Sequence, residues 1–113
     1  MSSTEPNWPA VETEISRIIA DSKEPFDDDT ISNARDLVAF LQGRCSVPHV
    51  SKGYWSSISL RWKVTSSGPL EIEVFEDRLE VYRFEPTFGV WYEDHKSGQP
   101  FSPRFEAELP RLE

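Results

Sequence analysis

The period of the apolar residues changes once along this chain, at Gly43, and that change dictates the class of fold. Before it, apolar side chains recur at helical spacing: Trp8, Val11, Ile15, Ile18 and Ile19, then Ile31, Ala34, Leu37, Val38 and Leu41. After it they alternate with polar ones. Ile58, Leu60, Trp62 and Val64 interleave with Ser57, Ser59, Arg61 and Lys63, and Leu70, Ile72 and Val74 with Glu71, Glu73 and Phe75. Helices followed by strands do not build βαβ units. The sequence therefore predicts an α+β fold, with two N-terminal helices packed on one face of a four-stranded antiparallel meander sheet, five-stranded if the tail adds a strand.

The helix ends are written locally. Pro9 suits a first helical turn, and the stripe after it predicts a helix from about Pro9 to Ser22. Phe26-Asp27-Asp28-Asp29-Thr30-Ile31 reads as an N-cap at Asp27, with Phe26 and Ile31 as a hydrophobic staple and two acids in the first turn. The triple Asp is helix punctuation before it is a cation site. Gly43 is the expected residue just past the second helix.

Arg44 to Gly53 reads as a polar connector carrying Cys45, Pro48 and His49. For the first hairpin, pairing Val64 with Leu70 sets Trp62 beside Ile72 and Leu60 beside Val74, with Lys63 opposite Glu71 and Arg61 opposite Glu73. The next strand, Arg78 to Phe84, pairs Val74 with Leu79 and Ile72 with Val81 across a two-residue turn at Glu76-Asp77. That turn lacks the glycine a tight hairpin favours, which leaves a wider loop open. Val90 to His95 forms the fourth strand, with Val90 and Tyr92 inward and Trp91 and Glu93 outward. In the tail, Phe105, Ala107 and Leu109 alternate like a strand, while Ser102-Pro103 would cap a helical turn. Residues 1–6 read as a disordered lead-in and residues 7–113 as a single α+β domain.

Composition narrows the function classes. Twenty acidic against twelve basic residues give a net charge of -8, which argues against nucleic acid and anionic membrane surfaces as partners. No signal peptide or spanning segment is written in the sequence, and a lone cysteine makes no intramolecular disulfide, so the expected location is cytoplasmic. Cys45, His49 and His95 are too few for a closed four-ligand zinc site, and no glycine-rich phosphate loop or serine-nucleophile elbow occurs. No metal and no cofactor is expected, and no catalytic residue is nominated.

What the sequence does single out is the outward face of the sheet. Alternation puts Arg61, Glu73 and Glu80 there together with Phe75, Tyr82, Phe84 and Trp91. A solvated sheet face is ordinarily polar, and clustered aromatics mark an interface unless the tail, with Phe101 and Phe105, folds over them. The expectation is a small non-enzymatic interaction protein, binding a protein partner with a basic patch or a second copy of itself, the homodimer having Phe84 or Trp91 near its centre. The alternative is a cone-shaped small-ligand or acid–base enzyme domain, with a pocket between sheet and helices and Asp94-His95 as its titrating pair.

Overall fold

A computed structural model describes residues 7–63, 68–84 and 88–109. Helix α1 spans Trp8–Asp21 and α2 spans Asp28–Leu41. Five strands follow, β1 His49–Lys52, β2 Ile58–Trp62, β3 Leu70–Val74, β4 Arg78–Arg83 and β5 Gly89–Asp94, and a short helix α3, Pro103–Glu108, ends the described chain. The sheet runs β1-β2-β3-β4-β5 with every neighbouring pair antiparallel, an open meander. The α+β arrangement with N-terminal helices is as the periodicity predicts. None of the described helices is long and apolar enough to cross a membrane.

Both helices begin on side-chain caps. Asn7 accepts the Ala10 amide at 2.8 Å and starts α1 one residue earlier than its proline suggests. Asp27 accepts the Asp29 amide at 2.8 Å, and Phe26 and Ile31 on either side of it join the core, as the staple reading expects. After Leu41 the chain leaves α2 through Gly43 at φ 82°, a left-handed conformation that only glycine adopts without strain.

The core lies between helices and sheet. Ile58, Leu60, Trp62, Leu70, Ile72, Val74, Leu79 and Val81 are each at most 3% exposed, and Ala34, Leu37, Val38 and Leu41 of α2 at most 1%. Each such Val, Leu or Ile side chain contributes about 1.5–3 kcal/mol by leaving water.

Two sequence expectations need correction, and one left open is decided. The connector contains β1, which pairs Val50 with Leu60 and His49 with Arg61, so the fifth strand comes from before the meander. Of its two alternatives the tail takes the helical turn, α3: Ser102 caps it by accepting the Phe105 amide at 3.1 Å. In the β2–β3 hairpin, Trp62 pairs with Leu70, Leu60 with Ile72 and Ile58 with Val74, two residues from the expected register. A slip of two keeps every side chain on its face, so alternation is blind to it, whereas a slip of one would have turned the apolar set to water. Arg61 therefore stands opposite Glu71, not Glu73, and Ser59 opposite Glu73. Val64, the anchor of the expected pairing, lies outside the described residues, as do the lead-in 1–6 and the turn residues 65–67.

The β3–β4 register is the expected one, Val74 with Leu79 and Ile72 with Val81. Its turn at Glu76-Asp77 is tight, closed by the Phe75 amide on the Arg78 carbonyl at 2.9 Å, yet no described non-glycine residue has positive φ. A tertiary contact does what turn residues ordinarily do. Asn33 of α2 donates through Nδ2 to the carbonyls of Phe75 at 3.0 Å and Glu76 at 3.1 Å, and reaches the carbonyl of His95 at 3.5 Å.

Candidate functional site

Strand pairing sorts the seven sequence-nominated residues. Arg61, Glu73, Phe75, Glu80, Tyr82 and Phe84 fall on the face away from the helices, as alternation requires. Trp91 does not. It pairs with Val81, and Glu93 pairs with Leu79, so both belong to the helix side, while Val90 and Tyr92 pair with Tyr82 and Glu80 on the outer face. This reverses the expected orientation of β5. The strand carries aromatics in both alternating sets, and the segment between Arg83 and Gly89 did not fix its parity.

That reversal settles where the tail goes. Phe105 is fully buried, 6.3 Å from Phe40 of α2 and 6.2 Å from Trp91, and Phe101 stacks on His95 at 4.3 Å. Glu93, buried on the inner face, accepts from the Ser102 amide and hydroxyl, both at 2.7 Å. Arg83 grips the far end of α3 through the Glu108 carboxylate at 2.5 Å and its carbonyl at 3.0 Å. The tail thus completes the helix-side layer and leaves the outer face of β3 to β5 open.

On that face the charged side chains are fastened individually. Arg61 donates to Glu71 at 2.8 and 3.0 Å. Glu73 is buried although it belongs to the outer face. It accepts the Ser57 hydroxyl at 2.5 Å, and the backbone of Gly53 passes so close that a Cβ there would strike both. Its cross-strand neighbour Glu80 accepts from Arg78 at 2.8 Å and from the Tyr82 hydroxyl at 2.5 Å. Two like charges opposite each other repel, and these donors offset that. Burial first, then the hydrogen bond to Glu80 and the charges of Glu80 and Glu73, push the Tyr82 hydroxyl well above the usual phenol range.

Around the carboxylates lie rings. Arg78 covers Phe75 at 4.3 Å, Tyr92 beside Glu80 is 62% exposed, and Phe84, 41% exposed, meets Phe88 at 5.6 Å. Tyr92, Val90, Ser57 and Arg78 are the members sequence reading missed. The first two were lost with the parity of β5. Ser57 and Arg78 were visible as outward positions but carried no apolar or acidic signal.

The groups of the alternative reading are separated. Asp94 is exposed and pairs with Arg78 on the outer side. His95 is buried on the inner side, where Nε2 lies 3.2 Å from the Asp36 carboxylate, which also accepts the Gly98 amide at 2.9 Å. Between the helices and β2 to β4 the apolar side chains form one packed core, and a groove of about 260 Å³ remains at its margin between α1 and β1, lined by Ile18, Val50 and Lys52 and away from Asp94 and His95. Among the described residues, no group of His, Cys, Asp and Glu is arranged to hold a metal ion. No family model, curated protein or solved structure matches the chain.

Proposed function

We propose that the protein is an interaction module, not an enzyme, and that its outer sheet face docks a protein partner presenting a cationic patch. The observation that carries this reading is Glu80, held by Arg78 at 2.8 Å among Phe75, Tyr82 and the exposed Tyr92 on a face the tail leaves open, with the buried Glu73 opposite it adding negative charge from beneath Gly53. A held carboxylate such as Glu80, flanked by rings, suits a guanidinium or ammonium group, which gains charge pairing from the acid and cation–π contact from the exposed Tyr92. The whole chain, at -8, steers such a partner from a distance.

A titration with a short Arg- and Tyr-containing peptide, followed by amide NMR, tests the reading. Shifts should concentrate on residues 71–82 and 90–94, weaken with salt, and vanish in Glu80→Gln. Shifts spread equally over the exposed acids of α2, Asp28 and Asp29, would reduce the interaction to bulk charge and overturn it.

A further inference from the structure

The two edges of the sheet are protected very differently. β1 is only four residues long, ends in Lys52, and has α1 packed against it. Short length, an edge lysine and a covering helix are devices that keep foreign strands away. β5 has six residues, Gly89-Val90-Trp91-Tyr92-Glu93-Asp94, with neither lysine nor proline. Among the described residues, four of the six exposed large apolar side chains, Phe84, Phe88, Val90 and Tyr92, lie on it or beside it.

The backbone directions follow from two bonds. His95 donates its amide to Asp77 at 3.1 Å and Phe75 donates to Arg78 at 2.9 Å. By alternation, Trp91 and Glu93 point their amides and carbonyls into β4, while Val90, Tyr92 and Asp94 point theirs out of the sheet. No described residue pairs with those outward groups.

We propose that β5 is a dimerisation edge whose occupant is β5 of a second copy, antiparallel about a two-fold axis at Tyr92. In that register Tyr92 faces its own copy and Val90 faces Asp94, so every outward N–H and C=O of the strand finds a partner. Charge selects the same arrangement. The two-fold places the Asp94 carboxylates at opposite ends, each beside a valine, whereas parallel pairing would set them side by side. The Tyr92 rings then meet across the axis on the outer face, the type of pair that stabilises neighbouring strands. The dimer carries one continuous sheet, with both candidate docking faces on the same side. The dimer shares Tyr92 with the docking face above, but it rests on the outward backbone groups of β5 and stands or falls without that reading.

Light scattering coupled to size exclusion should give twice the chain mass of 13.0 kDa at concentrations well above micromolar. Tyr92→Lys, which sets two ammonium groups at the axis of an exposed position, should run as a folded single chain. Tyr92→Cys should form a disulfide-linked dimer on mild oxidation, because directly opposed residues of a hydrogen-bonded pair have Cα atoms about 5.5 Å apart. In hydrogen exchange, the amides of Val90, Tyr92 and Asp94 should gain protection as concentration rises, while those of Trp91 and Glu93 stay protected throughout. A wild type that remains a single chain, or a dimer that survives Tyr92→Lys and leaves the alternate amides unprotected, would overturn the proposal.

Discussion

The two faces of one sheet follow different rules here. On the inner face, eight side chains from β2, β3 and β4 are each at most 3% exposed, and their identity as a set is fixed by burial. On the outer face, position is fixed by single polar contacts: Arg61 to Glu71, Ser57 to Glu73, Tyr82 and Arg78 to Glu80. Burial is a large, non-directional term that sums over many atoms, while each exposed polar contact is small and replaceable. Apart from the buried Ser57–Glu73 pair, the outer face can therefore change its composition for binding without endangering the fold. The inner face cannot.

The sharpest way to break that contrast is truncation. Ile72→Ala should cost about 2–5 kcal/mol, since the position is fully buried and the cavity cannot collapse easily. Tyr92→Ala, 62% exposed, should stay within about 0.5 kcal/mol. Equal losses in denaturant melts would mean that the outer face is structural.

Alkali separates the faces next. Burial pushes the inner Cys45 thiol from 9.0 up to about 11, and Tyr82 on the outer face is raised by burial and by Glu80. Both sites favour the protonated form, so their stabilisation is full below the unfolded pKa and lost as pH rises through the folded one. For Cys45 that window runs from about pH 9 to about pH 11, with a loss of at most about 2–3 kcal/mol. Cys45→Ala should flatten the pH 9–11 part of the stability profile, and Tyr82→Phe should remove what persists at higher pH.

One corner of the outer face should behave like the inner face. Gly53→Ala drives a methyl group into the Ser57–Glu73 pair, and should cost about 1–3 kcal/mol in a melt. The smallest effect concerns register. A double-mutant cycle between Arg61 and Glu71 should return about 0.2–1 kcal/mol of coupling, and one between Arg61 and Glu73 none. The reverse result would restore the pairing that charge alone suggested.

That last case shows what was legible in the sequence and what was not. Helix stripes, the Asp27 cap and the alternation of β2 to β4 were all readable, because each rests on local geometry or on bulk burial. The β2–β3 register was not, because Lys63–Glu71 with Arg61–Glu73 looks as favourable on paper as the Arg61–Glu71 contact that forms. β1 was hidden by its brevity and by His49, Ser51 and Lys52, which leave Val50 as its one buried side chain. Of the candidate site, six of seven residues were placed on the correct face. Trp91 was misplaced because Val90 and Tyr92 offer as plausible an inward set, and only contact with a distant segment, Phe105 in α3, decides between them.

The Asn33 clamp carries a consequence for how the chain reaches its folded state. A hairpin with a favourable turn can close early and by itself, but the Glu76-Asp77 turn has no residue in the left-handed region and draws its support from a helix 42 residues away in sequence. Nucleation of the β3–β4 hairpin is therefore expected to wait for α2 to dock, which would give a nominally local element the slower kinetics of a long-range one. In stopped-flow experiments Asn33→Ala should slow refolding by more than it hastens unfolding, while a turn replacement by Asn-Gly should accelerate refolding and make the helix dispensable for closing the hairpin.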